Sequence, residues 1–169
     1  MNIAKNLEHS AFFFPERPVI RVGSSVIPYL RFNEQANRVA TALLKLGVGP
    51  GDHVGLCAPN SSEWLAIYFG AMKVGAVAVT LPSTLTRDEL DFLIKESVPK
   101  VIFTSEGKRD DLNGMRQSSV LRKIICPGGD LDFESLMEMG SSSFRAVERD
   151  REDTAAILFT GGTTGGPKG

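Results

Sequence analysis

The sequence has few histidines and cysteines, the side chains that most often bind transition metals. Its 169 residues include two cysteines, two histidines and one tryptophan. His9 and His53 are far apart in sequence and lack the Cys/His spacing of a metal site. Cys57 and Cys126 each lie in an apolar run, which predicts buried, reduced thiols rather than a disulfide. We therefore expect no metal site and no catalytic residue within these 169 residues.

An excess of charge and long apolar runs are also absent. The 19 basic and 20 acidic residues give a formal net charge of -1, which argues against nucleic acid as a major partner. No run of roughly 18 apolar residues occurs, so no transmembrane segment is predicted. Lys5 and Glu8 precede any apolar stretch, so no secretory signal peptide is predicted either. These absences favour a cytoplasmic protein.

Helical and strand-like patterns alternate along most of the chain. Strands are predicted at 53–57, 76–80, 100–104, 123–126 and 155–159, and a hairpin from 19–22 with 26–27. Helices are predicted at 2–10, 31–46, 60–75, 88–97, about 107–119 and 133–139. The alternation indicates an α/β fold with a largely parallel sheet. Ligands of such sheets bind beyond the carboxyl ends of the strands.

Two helix starts carry capping signals. Asn60 is predicted to cap the helix that follows it, with Glu63 three residues on, and Thr86 with Glu89 forms a capping box. The first of these helices is apolar nearly all round, so we expect deep burial and a core role for its aromatic residues. In the second, Leu90, Leu93 and Ile94 are expected to point inward.

The chain ends in a stretch rich in glycine and threonine, Thr160-Gly161-Gly162-Thr163-Thr164-Gly165-Gly166-Pro167-Lys168-Gly169. Glycines permit close backbone approach to a ligand, and successive amide groups can form a concave anion site. The threonine hydroxyls add donors and Lys168 adds a positive charge. This chemistry suits a polyphosphate. The common phosphate loop is excluded because Pro167 separates Gly166 from Lys168, and Gly169 follows the lysine.

The terminal stretch resembles the phosphate-loop signature of the AMP-forming adenylating enzymes, which include acyl-CoA synthetases and peptide-synthetase adenylation domains. Earlier segments are similar to the family too: Phe32 to Ala40, Gly47-Val48-Gly49-Pro50-Gly51-Asp52-His53-Val54, Pro59-Asn60-Ser61-Ser62-Glu63, Gly75-Ala76-Val77 and Leu85 to Leu90. One departure is Leu81-Pro82-Ser83, where many members have Leu-Asn-Pro. Gly161 replaces the commoner serine, which tilts the resemblance toward a CoA ligase.

The resemblance implies an ATP- and Mg²⁺-dependent reaction. A carboxylic acid, fatty or aromatic acids being favoured, would form an acyl-adenylate and then an acyl thioester with coenzyme A. Residues 1–169 would be the N-terminal part of the large adenylation domain. The phosphate contacts would be Thr160, Gly161, Gly162, Thr163, Thr164, Gly165 and Lys168.

The resemblance also implies that this chain is a fragment, since the family's adenine, magnesium and ribose ligands and its mobile C-terminal domain would lie beyond Gly169. Ordering residues 161–169 costs roughly 9–18 kcal/mol. Three or four charged hydrogen bonds return roughly 5–12 kcal/mol. We therefore expect weak ATP binding and no activity from this chain alone. Uncovered apolar faces and sheet edges predict self-association.

Two other interpretations remain open. The chain could be a non-catalytic nucleotide- or phosphate-binding module, or an interaction fragment whose glycine-rich stretch is vestigial. The residues leave the acid and the acyl acceptor unidentified.

Overall fold

The computed structural model of the chain describes residues 2–159. Its helices are α1 (Lys5–Phe13), α2 (Tyr29–Lys45), α3 (Ser62–Lys73), α4 (Arg87–Ser97), α5 (Arg109–Met115) and α6 (Phe133–Met139). Its strands are β1 (Pro18–Val22), β2 (Ser25–Pro28), β3 (His53–Cys57), β4 (Val77–Thr80), β5 (Val101–Thr104), β6 (Lys123–Ile125) and β7 (Ala156–Leu158). The predicted α/β class is confirmed.

Five strands form one parallel sheet in the order β6-β5-β3-β4-β7. In its centre, Gly55 of β3 pairs with Val79 of β4 on one side and Ile102 of β5 on the other. At one side of the sheet, Thr80 of β4 pairs with Leu158 of β7. The carboxyl ends of all five strands therefore lie together along one border of the sheet, called the carboxyl edge below. This confirms the predicted parallel arrangement.

The two faces of the sheet are covered by different helices. Val54 and Leu56 of β3 pack on the face that also holds buried residues of α1, α2, α3 and α6. Ile102 of β5 and Ile124 of β6 point to the opposite face, beneath α4 and α5. Because successive strand residues point to opposite faces, each strand contributes to both cores and the domain has three layers.

The chain leaves neighbouring strands in opposite directions. The connection from β3 to β4 runs through α3 on one face, and the connection from β4 to β5 runs through α4 on the other. The loops that follow β3 and β4 therefore diverge at the carboxyl edge of the sheet. This divergence opens a crevice between them, the place where open α/β sheets bind their ligands.

The predicted hairpin is confirmed as the antiparallel pair β1 and β2. Helix α1 lies three residues later than the predicted 2–10. The Asn2 side chain accepts a hydrogen bond from the Ala4 amide at 2.9 Å and donates to the Met72 carbonyl at 2.6 Å, which holds the first residues out of the helix. The helix continues to Phe13 because Pro15 restricts only the residue before it.

The prediction that Asn60 caps α3 is wrong. Ser61 is the cap, and its hydroxyl accepts a hydrogen bond from the Trp64 amide at 3.1 Å. The predicted capping box of α4 is confirmed, with Thr86 and Glu89 bonding reciprocally. The inward residues of α4 are confirmed as well: Leu90, Leu93 and Ile94 are all fully buried.

The deep burial predicted for α3 holds for only half of its surface. Ala66, Ile67 and Ala71 are fully buried, whereas Trp64 and Tyr68 remain half-buried. The polar helix predicted from about 107 to 119 is present, but only α5 is α-helical, and 3-10 turns at 106–108 and 116–118 flank it. Glycines within this segment disfavour a longer helix. Within residues 2–159, no helix is long and apolar enough to cross a membrane.

Candidate functional site at the carboxyl edge of the sheet

An open cleft of about 710 Å³ lies at the carboxyl edge of the sheet, where the loops diverge. One wall is formed by the turn after β3 (residues 58–60) and by α3. The other lining residues are the end of β4 with the loop after it (residues 80–84), the end of β7 at Leu158, and Phe159. Three strands therefore deliver their carboxyl ends to one cavity. This arrangement agrees with the position predicted for a ligand.

Two stacked aromatic rings form one wall of the cleft. Trp64 and Tyr68 lie one helical turn apart on α3, with ring centroids 5.3 Å apart and planes within 14°. Burial raises the pKa of the Tyr68 hydroxyl, so it stays protonated at neutral pH and can donate a hydrogen bond. The predicted core role holds in part, because Trp64 and Tyr68 pack against the core and also line the cleft. Their position in the first turns of a helix that follows the carboxyl end of a strand could have indicated that they line the ligand cleft.

Hydroxyl and amide groups supply the polar part of the lining. Thr80, Ser83 and Thr84 border the cleft on one side and Asn60 on the other. The Thr80 hydroxyl makes only a long hydrogen bond, 3.5 Å, to the Ile157 carbonyl. Within residues 2–159, the lining contains no lysine or arginine. A triphosphate here would accept hydrogen bonds from these groups and would need its charge neutralised by another part of the protein.

Strand β7 and Phe159 directly precede the glycine- and threonine-rich motif. Strand β7 runs parallel to β4 and ends at Leu158, and Phe159 packs beneath the sheet while lining the cleft. Thr160 follows Phe159 directly in the sequence. The predicted phosphate contacts all lie outside the described residues: Thr160, Gly161, Gly162, Thr163, Thr164, Gly165 and Lys168.

A second opening, of about 530 Å³, lies beyond β5 and β6 at the same edge of the sheet. Glu63 and Asp132 border it, near the amino ends of α3 and α6. The Asp132 carboxylate caps α6 by accepting a hydrogen bond from the Ser135 amide at 2.7 Å, which lowers its pKa. The Thr104 hydroxyl donates to the Cys57 carbonyl at 2.8 Å. These polar groups already have partners that stabilise the fold.

Both cysteines are free and buried, as predicted. Burial raises the pKa of Cys57 to about 11 and also raises that of Cys126, so neither is a thiolate near neutral pH. His53 is a satisfied residue at the start of β3, with Nδ1 2.5 Å from the Ser97 carbonyl oxygen. Among residues 2–159, no group of three His, Cys, Asp or Glu side chains is placed to hold a metal ion.

The open parallel sheet, its diverging loops and the cleft between them define an α/β domain that binds a ligand at its carboxyl edge. Comparison with known families is more specific. The profile of the family described as AMP-binding enzyme matches residues 7–169. The chain therefore belongs to the AMP-binding enzyme family, which confirms the resemblance drawn from its motifs.

Several relatives have names that include CoA ligase. The chain is 31% identical to the 3-oxocholest-4-en-26-oate–CoA ligase of Rhodococcus rhodochrous, over 100% of this chain and 32% of that protein. It is 35% identical to the long-chain-fatty-acid–CoA ligase FadD13 of Mycobacterium tuberculosis, over 83% of this chain and 28% of that protein. The chain thus spans about a third of the length of these relatives.

Solved structures share the fold. An anthranilate CoA ligase, AuaEII, in complex with anthranoyl-AMP is 25% identical with a TM-score of 0.92, over 99% of this chain and 33% of that one. ATP-bound MatB from Rhodopseudomonas palustris is 28% identical with a TM-score of 0.88, over the same shares of both chains. The N-terminal domain of FACL13 from M. tuberculosis matches with a TM-score of 0.88. The described fold is therefore that of the N-terminal region of adenylate-forming enzymes.

Proposed function

We propose that this chain forms the phosphate-binding part of the adenylation domain of an AMP-forming acyl-CoA ligase. A carboxylate oxygen of the acid attacks the α-phosphorus of Mg-ATP and pyrophosphate leaves, which gives an acyl-adenylate. The thiol of coenzyme A then takes the acyl group and releases AMP. The observation that carries the proposal is the meeting of β3, β4 and β7 at one cleft, with the glycine- and threonine-rich motif directly after β7.

The proposed roles of the motif follow from its chemistry. The backbone of Gly161, Gly162 and Gly165 can approach the β- and γ-phosphates closely. The hydroxyls of Thr160, Thr163 and Thr164 would donate hydrogen bonds to phosphate oxygens. Lys168 would supply the positive charge that the described lining of the cleft lacks. Charge placed there stabilises the departing pyrophosphate, which is the main catalytic need of adenylyl transfer.

The described residues would position the ligand rather than react with it. Hydroxyls on the β4 side can donate hydrogen bonds to phosphate oxygens and can donate to or accept from ribose hydroxyls, and the stacked wall of α3 offers an apolar surface. Mg²⁺, when bound, would neutralise phosphate charge. The relatives' names include fatty, steroid and aromatic acids. We propose an apolar carboxylic acid as the substrate and the cytoplasm as the location.

A chimera tests the proposal. The chain would replace the matching third of FadD13, and carboxylate-dependent exchange between ATP and labelled pyrophosphate would be measured with a panel of fatty and aromatic acids. Exchange is expected, and Lys168→Ala should lower its rate by about 100-fold. The matched control is Lys123→Ala in β6, which is the outer strand of the sheet farthest from β7. It should leave the rate unchanged.

Binding of ATP to the chain itself is the second readout. Weak binding that Lys168→Ala abolishes and Lys123→Ala does not would support the phosphate site even if the chimera folded poorly. ATP binding together with a well-folded but inactive chimera would favour the non-catalytic phosphate-binding alternative.

Self-association of the chain remains a prediction as well. Within the described residues β7 pairs only with β4 and leaves Leu158 exposed, and light scattering at increasing concentration would test for dimers.

A further inference from the structure

An exposed aromatic cluster lies on the opposite side of α1 from its core contacts. Leu7 and Ala11 of α1 are buried, whereas Phe12, Phe13 and Phe14 are 79%, 57% and 44% exposed. The rings of Phe12 and Phe13 lie 5.0 Å apart, and those of Phe13 and Phe14 lie 6.5 Å apart. The three phenylalanines, called the Phe cluster below, form a continuous exposed apolar surface.

One arginine contacts the Phe cluster, and a second exposed arginine follows it in the same segment of the chain. The guanidinium of Arg17 lies 4.8 Å from the centre of the Phe14 ring. Arg17 and Arg21 are both exposed, and within residues 2–159 neither forms an ion pair. Glu16 is the one acidic residue among positions 12–31, which carry three arginines, although the whole chain has a net charge of -1. This segment is therefore locally basic.

We propose that the Phe cluster and its neighbouring arginines dock this protein on the surface of a lipid bilayer that contains anionic lipids. Exposed rings can insert between headgroups without a complementary pocket, and arginine side chains can pair with the lipid phosphates. Interfacial binding by aromatic and basic side chains needs no membrane-spanning helix. The inference is independent of the proposed ligase activity.

Two other covers for the Phe cluster fit the observations less well. The three rings expose roughly 300–450 Å². A stable dimer buries about 800 Å² on each partner, so this surface alone is too small for one. Residues 160–169 contain no large apolar side chain, so they offer no cover from within this chain. A bilayer requires no complementary shape, and a small apolar surface can bind it with the help of nearby positive charge.

Sedimentation with lipid vesicles tests the proposal. The chain should bind vesicles of mixed phosphatidylcholine and phosphatidylglycerol. Phe12→Ser/Phe13→Ser should weaken the partition by about tenfold or more, because it removes two rings that would be buried in the bilayer. The matched control is Phe92→Ser on α4, where Phe92 is 47% exposed under the other face of the sheet. This control should bind as the parent chain does.

The arginines give a second, separable readout. Arg17→Gln/Arg21→Gln should weaken binding to the mixed vesicles by about tenfold and leave the weaker binding to pure phosphatidylcholine unchanged. Arg151→Gln, another exposed arginine, is the control. Circular dichroism confirms that each variant is folded, which the exposure of these residues makes the expected result.

Four outcomes would overturn the proposal. The parent chain could fail to bind the mixed vesicles. Phe12→Ser/Phe13→Ser could bind as well as the parent, or Phe92→Ser could lose as much. Finally, sedimentation velocity could show a dimer that Phe12→Ser/Phe13→Ser disperses while vesicle binding is absent, which would identify a second copy as the occupant.

Discussion

The two edges of the parallel sheet are built in different ways. At the amino edge, where the parallel strands begin, charged and amide side chains form hydrogen bonds between segments that are distant in sequence. Lys73 donates to Glu8 at 2.6 Å, and Lys100 donates to Asp52 at 2.7 Å. At the carboxyl edge, the cleft keeps hydroxyls with long or no hydrogen bonds and, within the described residues, no cation. One edge holds the fold together, and the other leaves polar groups available to a ligand.

An ion pair and several hydrogen bonds link separate segments at the amino edge. Lys73, at the end of α3, is fully buried, and burial lowers its pKa while the hydrogen bond to Glu8 offsets part of that shift. The Glu8 carboxylate also accepts a hydrogen bond from the Ala146 amide at 2.8 Å. Asn2 donates to the Val147 carbonyl at 3.0 Å. The ion pair therefore joins α1 to the end of α3, and the hydrogen bonds of Glu8 and Asn2 join the N-terminal segment to the linker before β7.

Breaking that ion pair should have the largest effect. Glu8→Ala leaves the Lys73 ammonium buried without its partner, and we expect a loss of about 3–5 kcal/mol in the free energy of unfolding. Urea denaturation measures it. Glu8→Leu/Lys73→Met removes both charges and should recover most of the loss. Equal stabilities for the single and double variants would show that the pair does not hold the amino edge.

The second prediction concerns acid stability at the same edge. Burial acts to raise the pKa of Asp52, but hydrogen bonds from Lys100 and the Gly49 amide outweigh it and leave the pKa below its usual 3.8. The unfolded chain therefore takes up the proton first. The stabilisation is present above about pH 4 and is lost as the pH falls through the folded-state pKa.

Substitution separates this contribution from other carboxylates. Asp52→Asn should lower the free energy of unfolding at neutral pH by about 1 kcal/mol and flatten its decline in acid. Urea titrations from pH 7 down to acid measure both effects. Glu152→Gln, at an exposed position in the linker, should change neither. An unchanged acid slope in Asp52→Asn would assign the decline to other groups.

The third prediction compares two neighbouring residues at the carboxyl edge. Ser61→Ala removes the cap of α3 and should cost about 1 kcal/mol, since the Trp64 amide loses its acceptor. Asn60→Ala changes an exposed cleft residue and should cost less than about 0.5 kcal/mol. Thermal or urea unfolding distinguishes them. The reverse order would restore Asn60 as the cap.

The smallest effect on stability is expected for Thr80→Val within the cleft. Its hydroxyl makes only the long hydrogen bond to Ile157, so the free energy of unfolding should change by less than about 0.5 kcal/mol. ATP affinity should fall by about threefold to tenfold if this hydroxyl contacts the ligand. Equilibrium binding measures the second effect. A stability loss as large as that of Ser61→Ala would remove the contrast between the two edges.

Local patterns predicted the elements more reliably than the surfaces. Strand β3 and helix α6 have the predicted bounds, and the capping box at Thr86 is present. Such features depend on neighbours within one turn or one strand. The exposure of the Phe cluster was not predicted, because it depends on what the rest of the fold places beside α1. The predicted phosphate contacts lie outside the described residues and remain predictions.

The sequence by itself determined the class of the fold, the order of its elements and the family, because hydrophobic period, caps and a motif of constrained residue types are local properties. Only the tertiary structure decided the strand order β6-β5-β3-β4-β7, the cleft between β3, β4 and β7, and the burial of Lys73 beside Glu8. Those features join residues up to about a hundred positions apart, and no local pattern records which distant segments pack together.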